Sequence, residues 1–240
     1  MKKFAFVLAL CFVAGSAMAS TPTAFQAGTG GAPNVVPSGR DVCWTEPADL
    51  NGLIGSSEQI LSQGLETEIA NDFVPTDKVI AVTYWGGFWN NSTPCASGIT
   101  TPGFNLKFYD DAGCIPGSNV AWLVNPTFTE TSVGCQAGTY PMFKWDFTGL
   151  CVDLTPGSLY WFGGQMADHV FPPQSGRLAA AVITSCDSVF KGAIFGYPDW
   201  TPCVDVFGVA FDASQEFTCG VCGDVPTQPS TWGQIKGLYR

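Results

Sequence analysis

Charge is what this 240-residue sequence has least of. Asp, Glu, Lys and Arg together make up 12% of it, and only 10 of those residues are basic. Binding to nucleic acid needs Lys/Arg clusters against the phosphates, and no such cluster occurs. The formal net charge of −10 argues against anionic membrane surfaces as well. It is compatible with cations, neutral glycans or solvent alone. Histidine is rarer still, with His169 as the only one. A serine or cysteine triad has to be built on that residue. Its neighbour Asp168 is poorly placed to orient it, because adjacent side chains on an extended chain point to opposite sides. Neither a Gly-x-Ser-x-Gly elbow nor a His-Glu-x-x-His pair occurs. Zinc at Cys219-x-x-Cys222 lacks the two further ligands it needs. Beyond residue 19 no run reaches the ~18 apolar residues of a membrane span.

The amino terminus has the layout of a secretory signal over residues 1–19. Lys2 and Lys3 precede the apolar run Phe4–Ala14, and Ala17-Met18-Ala19 makes a small-residue cleavage site. A lipidation box at Leu8–Cys11 is disfavoured by bulky Leu10 and by the apolar run continuing past the cysteine. Residues 20–39 are rich in Gly, Pro, Ala and Thr and read as a flexible leader. Ten cysteines become nine without Cys11, and in an exported chain these read first as disulfides with one left over. Cys135 and Cys151 flank what reads as one long strand and are expected not to pair. Cys95 with Cys114, and Cys186 with Cys203, enclose turn residues and are candidate bridges, as is Cys219 with Cys222.

From 40 to 222 short runs of Val, Ile, Phe, Tyr, Trp and Thr alternate with Gly/Pro/Asn/Asp turns, the pattern of an all-β domain. Strands are expected at Ile69–Val74, Lys78–Trp85, Phe104–Tyr109, Asn119–Thr129, Thr139–Phe147, Ser158–Met166, Leu178–Thr184, Val189–Phe195 and Val204–Asp212. One short helix is expected within Ser56–Leu65. Phe104–Tyr109 and Phe143–Phe147 alternate apolar with polar residues, burying one face and wetting the other. Lys78–Trp85 is apolar on both faces and reads as a central strand. The expectation is a single two-sheet antiparallel β-sandwich, jelly-roll-like. A Pro-rich spacer and a short amphipathic segment follow at 223–240, where Trp232, Ile235, Leu238 and Tyr239 share a helical face.

The stretches "EIANDFV", "VTYWGGFW", "FNLKFYDDAGCIPG" and "FGYPDW" resemble a group of secreted bacterial β-sandwich proteins. The closing "TWGQIKGLYR" resembles a terminal segment that recurs on exported proteins of some bacterial lineages. The resemblance implies export and the sandwich. It carries over no catalytic residue. It favours a tail read by sorting or anchoring machinery, whereas a clasp on the sandwich is the alternative.

Candidate sites follow from side-chain chemistry. Tyr84 and Trp85 read as core on the two sides of one strand. Gly86-Gly87 then breaks the strand period, and Trp89 leads into Asn90, Asn91, Ser92 and Thr93. A ring beside amides and hydroxyls can stack on a sugar and bond its hydroxyls, so Trp89–Thr93 is the candidate contact for a glycan or surface protein. Packing is the commoner use of such a ring. Asp110-Asp111, with Asn119, is the candidate Ca²⁺ site, although the spacing departs from an EF-hand and an ordinary Asx turn uses the same residues. Glu66, Glu68, Asp72, Glu130 and Glu216 offer carboxylates for a glycosidase pair. The favoured reading is a secreted, non-catalytic binding module without a cofactor. A secreted glycosidase and an inert extracellular structural protein are the alternatives.

Overall fold

The computed structural model describes residues 21–30, 32–35, 42–90, 95 and 99–222. The expected signal at 1–19, the site residues Asn91, Ser92 and Thr93, and the segment 223–240 lie outside the described residues. The strands, in chain order, are β1 (Phe25–Gln26), β2 (Trp44–Glu46), β3 (Ile54–Ser56), β4 (Gln59–Ile60), β5 (Leu65–Glu66), β6 (Glu68–Phe73), β7 (Val79–Trp89), β8 (Phe104–Asp111), β9 (Pro116–Val124), β10 (Phe128–Gln136), β11 (Tyr140–Val152), β12 (Tyr160–Met166), β13 (Gln174–Leu178), β14 (Val189–Gly192), β15 (Tyr197–Pro202) and β16 (Gln215–Cys219). One α-helical turn, α1, covers Cys203–Phe207.

The chain is an all-β, jelly-roll-like sandwich of two antiparallel sheets. One sheet runs β1-β3-β13-β7-β11-β10, and the other β15-β14-β6-β12-β8-β9. In the first sheet β7 is long enough to take two partners on one edge. β16 pairs with its first half, from Val79 to Tyr84, and β13 with its second, from Gly86 to Trp89. β2 then adds to the outer edge of β16. Between the sheets lies an aromatic core of Tyr84, Phe88, Phe104, Phe108, Trp145, Phe147, Phe162 and Phe217.

The period of two in β7 runs straight through Gly86-Gly87. Tyr84 and Phe88 face the inter-sheet core, while Trp85 and Trp89 pack on the opposite face with Ile54, Met142 and Leu178. The glycines are close-approach positions within the strand. A Cβ on Gly86 would lie 2.0 Å from the Gly176 carbonyl oxygen and 2.6 Å from the Trp145 ring. The expected break in the strand is therefore absent, because the neighbours occupy the space the missing side chains leave.

Other expectations are corrected by tertiary packing. Ser56–Leu65 forms the short strands β3, β4 and the start of β5 around a 3-10 turn at Leu61–Gln63. The expected strand Val204–Asp212 begins as α1, which Gly208 ends in a left-handed conformation. Asn119–Thr129 is divided between β9 and β10. Part of the supposed flexible leader is β1, paired with β3, and Thr23 exchanges two hydrogen bonds with the Gln174 side chain.

The disulfides are Cys43–Cys219, Cys95–Cys135, Cys114–Cys186 and Cys151–Cys222. All span long loops, so each removes considerable freedom from the unfolded chain. None matches the candidate bridges, while Cys135 and Cys151 are indeed not joined. Among the described residues Cys203 is the free thiol, fully buried, with burial pushing its pKa well up. Cys219 and Cys222 are both consumed, so their spacing is no metal half-site.

Trp89→Ala removes a ring with no solvent exposure. It is expected to cost about 3–5 kcal/mol of stability, read from the denaturant midpoint, while leaving ligand binding by the folded protein intact.

Candidate ligand-binding groove

Of the sequence-predicted site residues, Trp89, Asn90, Asp110 and Asp111 lie among the described residues, and each bonds within the protein. Trp89 is fully buried, and its indole N–H donates to the Thr23 hydroxyl at 3.0 Å. Asn90 takes a left-handed φ of 55°, and its amide donates to Gln174 Oε1 and the Thr21 carbonyl oxygen. Neither residue can offer a platform to a ligand, because strand β7 continues to Trp89 and carries the ring into the packed face. Asp110 accepts from the Ser118 amide. Asp111 accepts from the amides of Gly113 and Cys114 and from the Trp161 indole N–H. That is the Asx turn. Among the described residues no group of His, Cys, Asp and Glu is placed to hold a metal ion.

The lone histidine also has a definite place. His169 Nε2 lies 2.8 Å from Glu58 Oε2 and 3.4 Å from Ser175 Oγ. A catalytic relay needs the acid on one ring nitrogen and the nucleophile on the other. Here both meet the same nitrogen. The Glu58 carboxylate also accepts from Ser56, Gln174 and the Ser175 amide, so this buried cluster is a saturated polar knot. Asp168 instead accepts from the Leu61 amide.

The concave polar feature lies on the outer face of the six-stranded sheet. Along β8, Phe104, Leu106 and Phe108 enter the core, so Lys107 and Tyr109 point outward. Along β12, Phe162 and Met166 enter the core, so Gly163 and Gln165 point outward. Glu66, Glu68, Lys107, Tyr109, Gln165 and Lys191 line a groove of about 400 Å³.

Its floor is built around Glu68. From β6 this side chain crosses β12 to reach β8. Oε2 accepts from Lys107 Nζ at 2.7 Å, and Oε1 accepts from the Tyr109 hydroxyl at 2.7 Å. The crossing is open because Gly163 lies beneath it. A Cβ there would come within 2.0 Å of Glu68 Oε1. Gln165 is buried and its amide donates to the Thr67 carbonyl oxygen, leaving its own Oε1 without a donor. Two tryptophans flank the floor. Lys107 Nζ lies 5.9 Å from the Trp122 ring centroid, and that indole is 59% exposed. Tyr109 meets the Trp200 ring edge-on at 5.7 Å, with Lys191 Nζ 5.8 Å from the same ring. Val120 and Val124 extend the exposed apolar stripe of β9 on either side of Trp122.

The sequence carried faint signs of this groove. Lys107 and Tyr109 occupy the polar phase of the cleanest alternating strand. Gly163-Gly164 in a strand marks a close approach. What no spacing shows is that Glu68, from the neighbouring strand β6, fills the space above Gly163.

No family model matches the chain, and no curated protein or solved structure is significantly similar to it.

A second set of acids lies inside the protein. Burial pushes Glu46 up to about 8, with Asp212 and Asp72 adding repulsion and a bond from Thr184 opposing it. Burial likewise lifts Asp212 to about 7 and Asp72 to about 6. Neither Asp72 oxygen has a donor in hydrogen-bonding geometry, and the Cys186 amide and Ser185 hydroxyl only moderate its shift.

Two predictions follow from these arrangements. Gly163→Ala should displace Glu68 and cost about 1–3 kcal/mol of stability, and most of that cost should vanish in a Glu68→Ala background, where the methyl has room. The raised acids bind protons in the folded state that the unfolded chain releases. Their contribution is complete below the ordinary carboxylate range and is lost as pH rises towards 8. Denaturant midpoints should therefore fall between pH 5 and pH 8.5, and Glu46→Gln should flatten the upper part of that decline.

Proposed function

We propose that this chain is a non-catalytic extracellular binding module that takes a saccharide in the groove on the outer face of its six-stranded sheet. The observation carrying this reading is the Glu68–Lys107–Tyr109 floor between Trp122 and Trp200. A sugar has apolar C–H faces and a girdle of hydroxyls. Exposed indole offers the first a stacking surface, and fixed carboxylate, phenol and amide groups offer the second hydrogen bonds. Glu68, Lys107 and Tyr109 are held by one another before any ligand arrives, so little ordering cost remains on binding. Four disulfides suit an oxidising, extracellular setting. No described helix is long and apolar enough to cross a membrane.

One observation favours a second reading, a glycoside hydrolase. Glu66 and Glu68 both line the groove, and such enzymes work with paired carboxyl groups. Against it, both Glu68 oxygens are already engaged, and exposed Glu66 accepts from the Gln59 amide.

A glycan array probed with the mature protein and with Trp122→Ala tests the proposal. The expected result is retention of a glycan class by the native protein and at least a tenfold weaker retention by the variant, with equal thermal midpoints. Identical profiles for the two proteins would remove the groove as the site. Release of reducing ends from a bound glycan, lost in Glu68→Gln, would establish the hydrolase instead.

A further inference from the structure

The groove holds two acids, Glu66 and Glu68, and two lysines, Lys107 and Lys191, and one of the lysines has no carboxylate partner. Among the described residues, Lys78 pairs with Asp153 at 3.3 Å, Lys107 with Glu68 at 2.7 Å and Lys144 with Asp146 at 3.0 Å. Arg177 is buried, and its two terminal nitrogens donate to carbonyl groups. Lys191 alone among the described cations has neither a carboxylate within 4 Å nor a carbonyl partner. It stands opposite Glu68 in the β14–β6 register, but both Glu68 oxygens are already occupied by Lys107 and Tyr109. Its ammonium rests near the Trp200 ring, exposed at the groove wall.

We propose that the ligand of this groove is an acidic saccharide, a chain of hexuronate residues, with one carboxylate seated on Lys191. This rests on the saccharide reading above and specifies its chemical class. A single lysine supplies one point charge, which suits a monovalent carboxylate. A phosphate monoester would bring close to two negative charges beside Glu66 and Glu68, more than one ammonium offsets. The remaining groups seek hydroxyls. Gln165 Oε1 is a buried acceptor lacking a donor, and Tyr109 and Glu68 add further polar atoms. From Lys191 on β14 to Trp122 on β9 the face spans β6, β12 and β8. Four strand spacings of ~4.8 Å make that about 19 Å, room for several sugar rings between Lys191 and the Trp122 indole.

Calorimetric titration with an oligogalacturonide and with its fully methyl-esterified counterpart tests the assignment, since esterification removes the charge and leaves the sugar rings and hydroxyls unchanged. The native protein should bind the acid at least tenfold more tightly than the ester, with the preference shrinking as salt rises. Lys191→Gln should bring the acid down to the level of the ester, whereas Trp122→Ala should weaken both. Equal affinity for acid and ester would overturn the assignment of an acidic ligand and leave the saccharide reading standing. So would array hits confined to neutral glycans. An array with no retained glycan of any kind would overturn both.

Discussion

The guanidinium of Arg177 lies between the two sheets, and no carboxylate among the described residues makes an ion pair with it. It projects from β13 of the first sheet, fully buried, and donates to the carbonyl oxygens of Ile69 and Phe162 in the second. Its other terminal nitrogen donates to the Ser214 carbonyl oxygen and to Gln215 Oε1 at 3.1 Å. The rings of Tyr84 and Phe162 lie 5.4 and 5.1 Å away. Burial draws its pKa down to about 10, which leaves it charged at neutral pH. An ion in such a place is tolerable only because backbone dipoles and ring faces replace its water. Those same bonds fix the spacing and register of the two sheets at one point. They also fix the groove, because Ile69 and Phe162 are the chain neighbours of Glu68 and Gly163. The floor of the site is held from beneath by the core's only guanidinium among the described residues.

This coupling explains what could and could not be read from the sequence. Alternation of large apolar side chains fixed the class of fold, since Phe104, Leu106 and Phe108 on β8 have no other way to be buried together. The same alternation placed Lys107 and Tyr109 on an outer face. The reading failed where a side chain's partner came from a distant strand. Trp89 looked like a loop residue because Gly86-Gly87 usually marks a break, yet here each glycine accommodates a neighbour's atoms inside a continuous strand. Val204–Phe207 has the composition of a strand, but it forms a helical turn, with the Val204 amide bonded to Asp187 and Phe207 packed on Phe190 and Phe211. Disulfide partners 40 to 176 residues apart leave no local trace at all. Arg177 sat unremarked in the sequence for the same reason, since nothing near it in the chain shows that it is buried.

The outer face of the six-stranded sheet is covered at one end and open at the other, and this division creates the groove. At the covered end Trp161, Val189 and Cys186 pack with Tyr109 and Ala70. The Cys114–Cys186 disulfide ties the turn after β8 to the segment before β14, closing that end over Trp161, whose indole N–H donates to Asp111. Asp111, one of the two acids of the expected cation site, is therefore part of this closure. At the open end no described segment lies over Glu68, Lys107 and Lys191. Tyr109 stands at the boundary, with its ring among the packed side chains and its hydroxyl on Glu68. A phenol anchored at one end by packing and at the other by a carboxylate has almost no freedom to turn. The closure thus does more than protect a hydrophobic patch. It sets the rotamer of the residue that orients Glu68, so the covered end of the sheet determines the geometry of the open one.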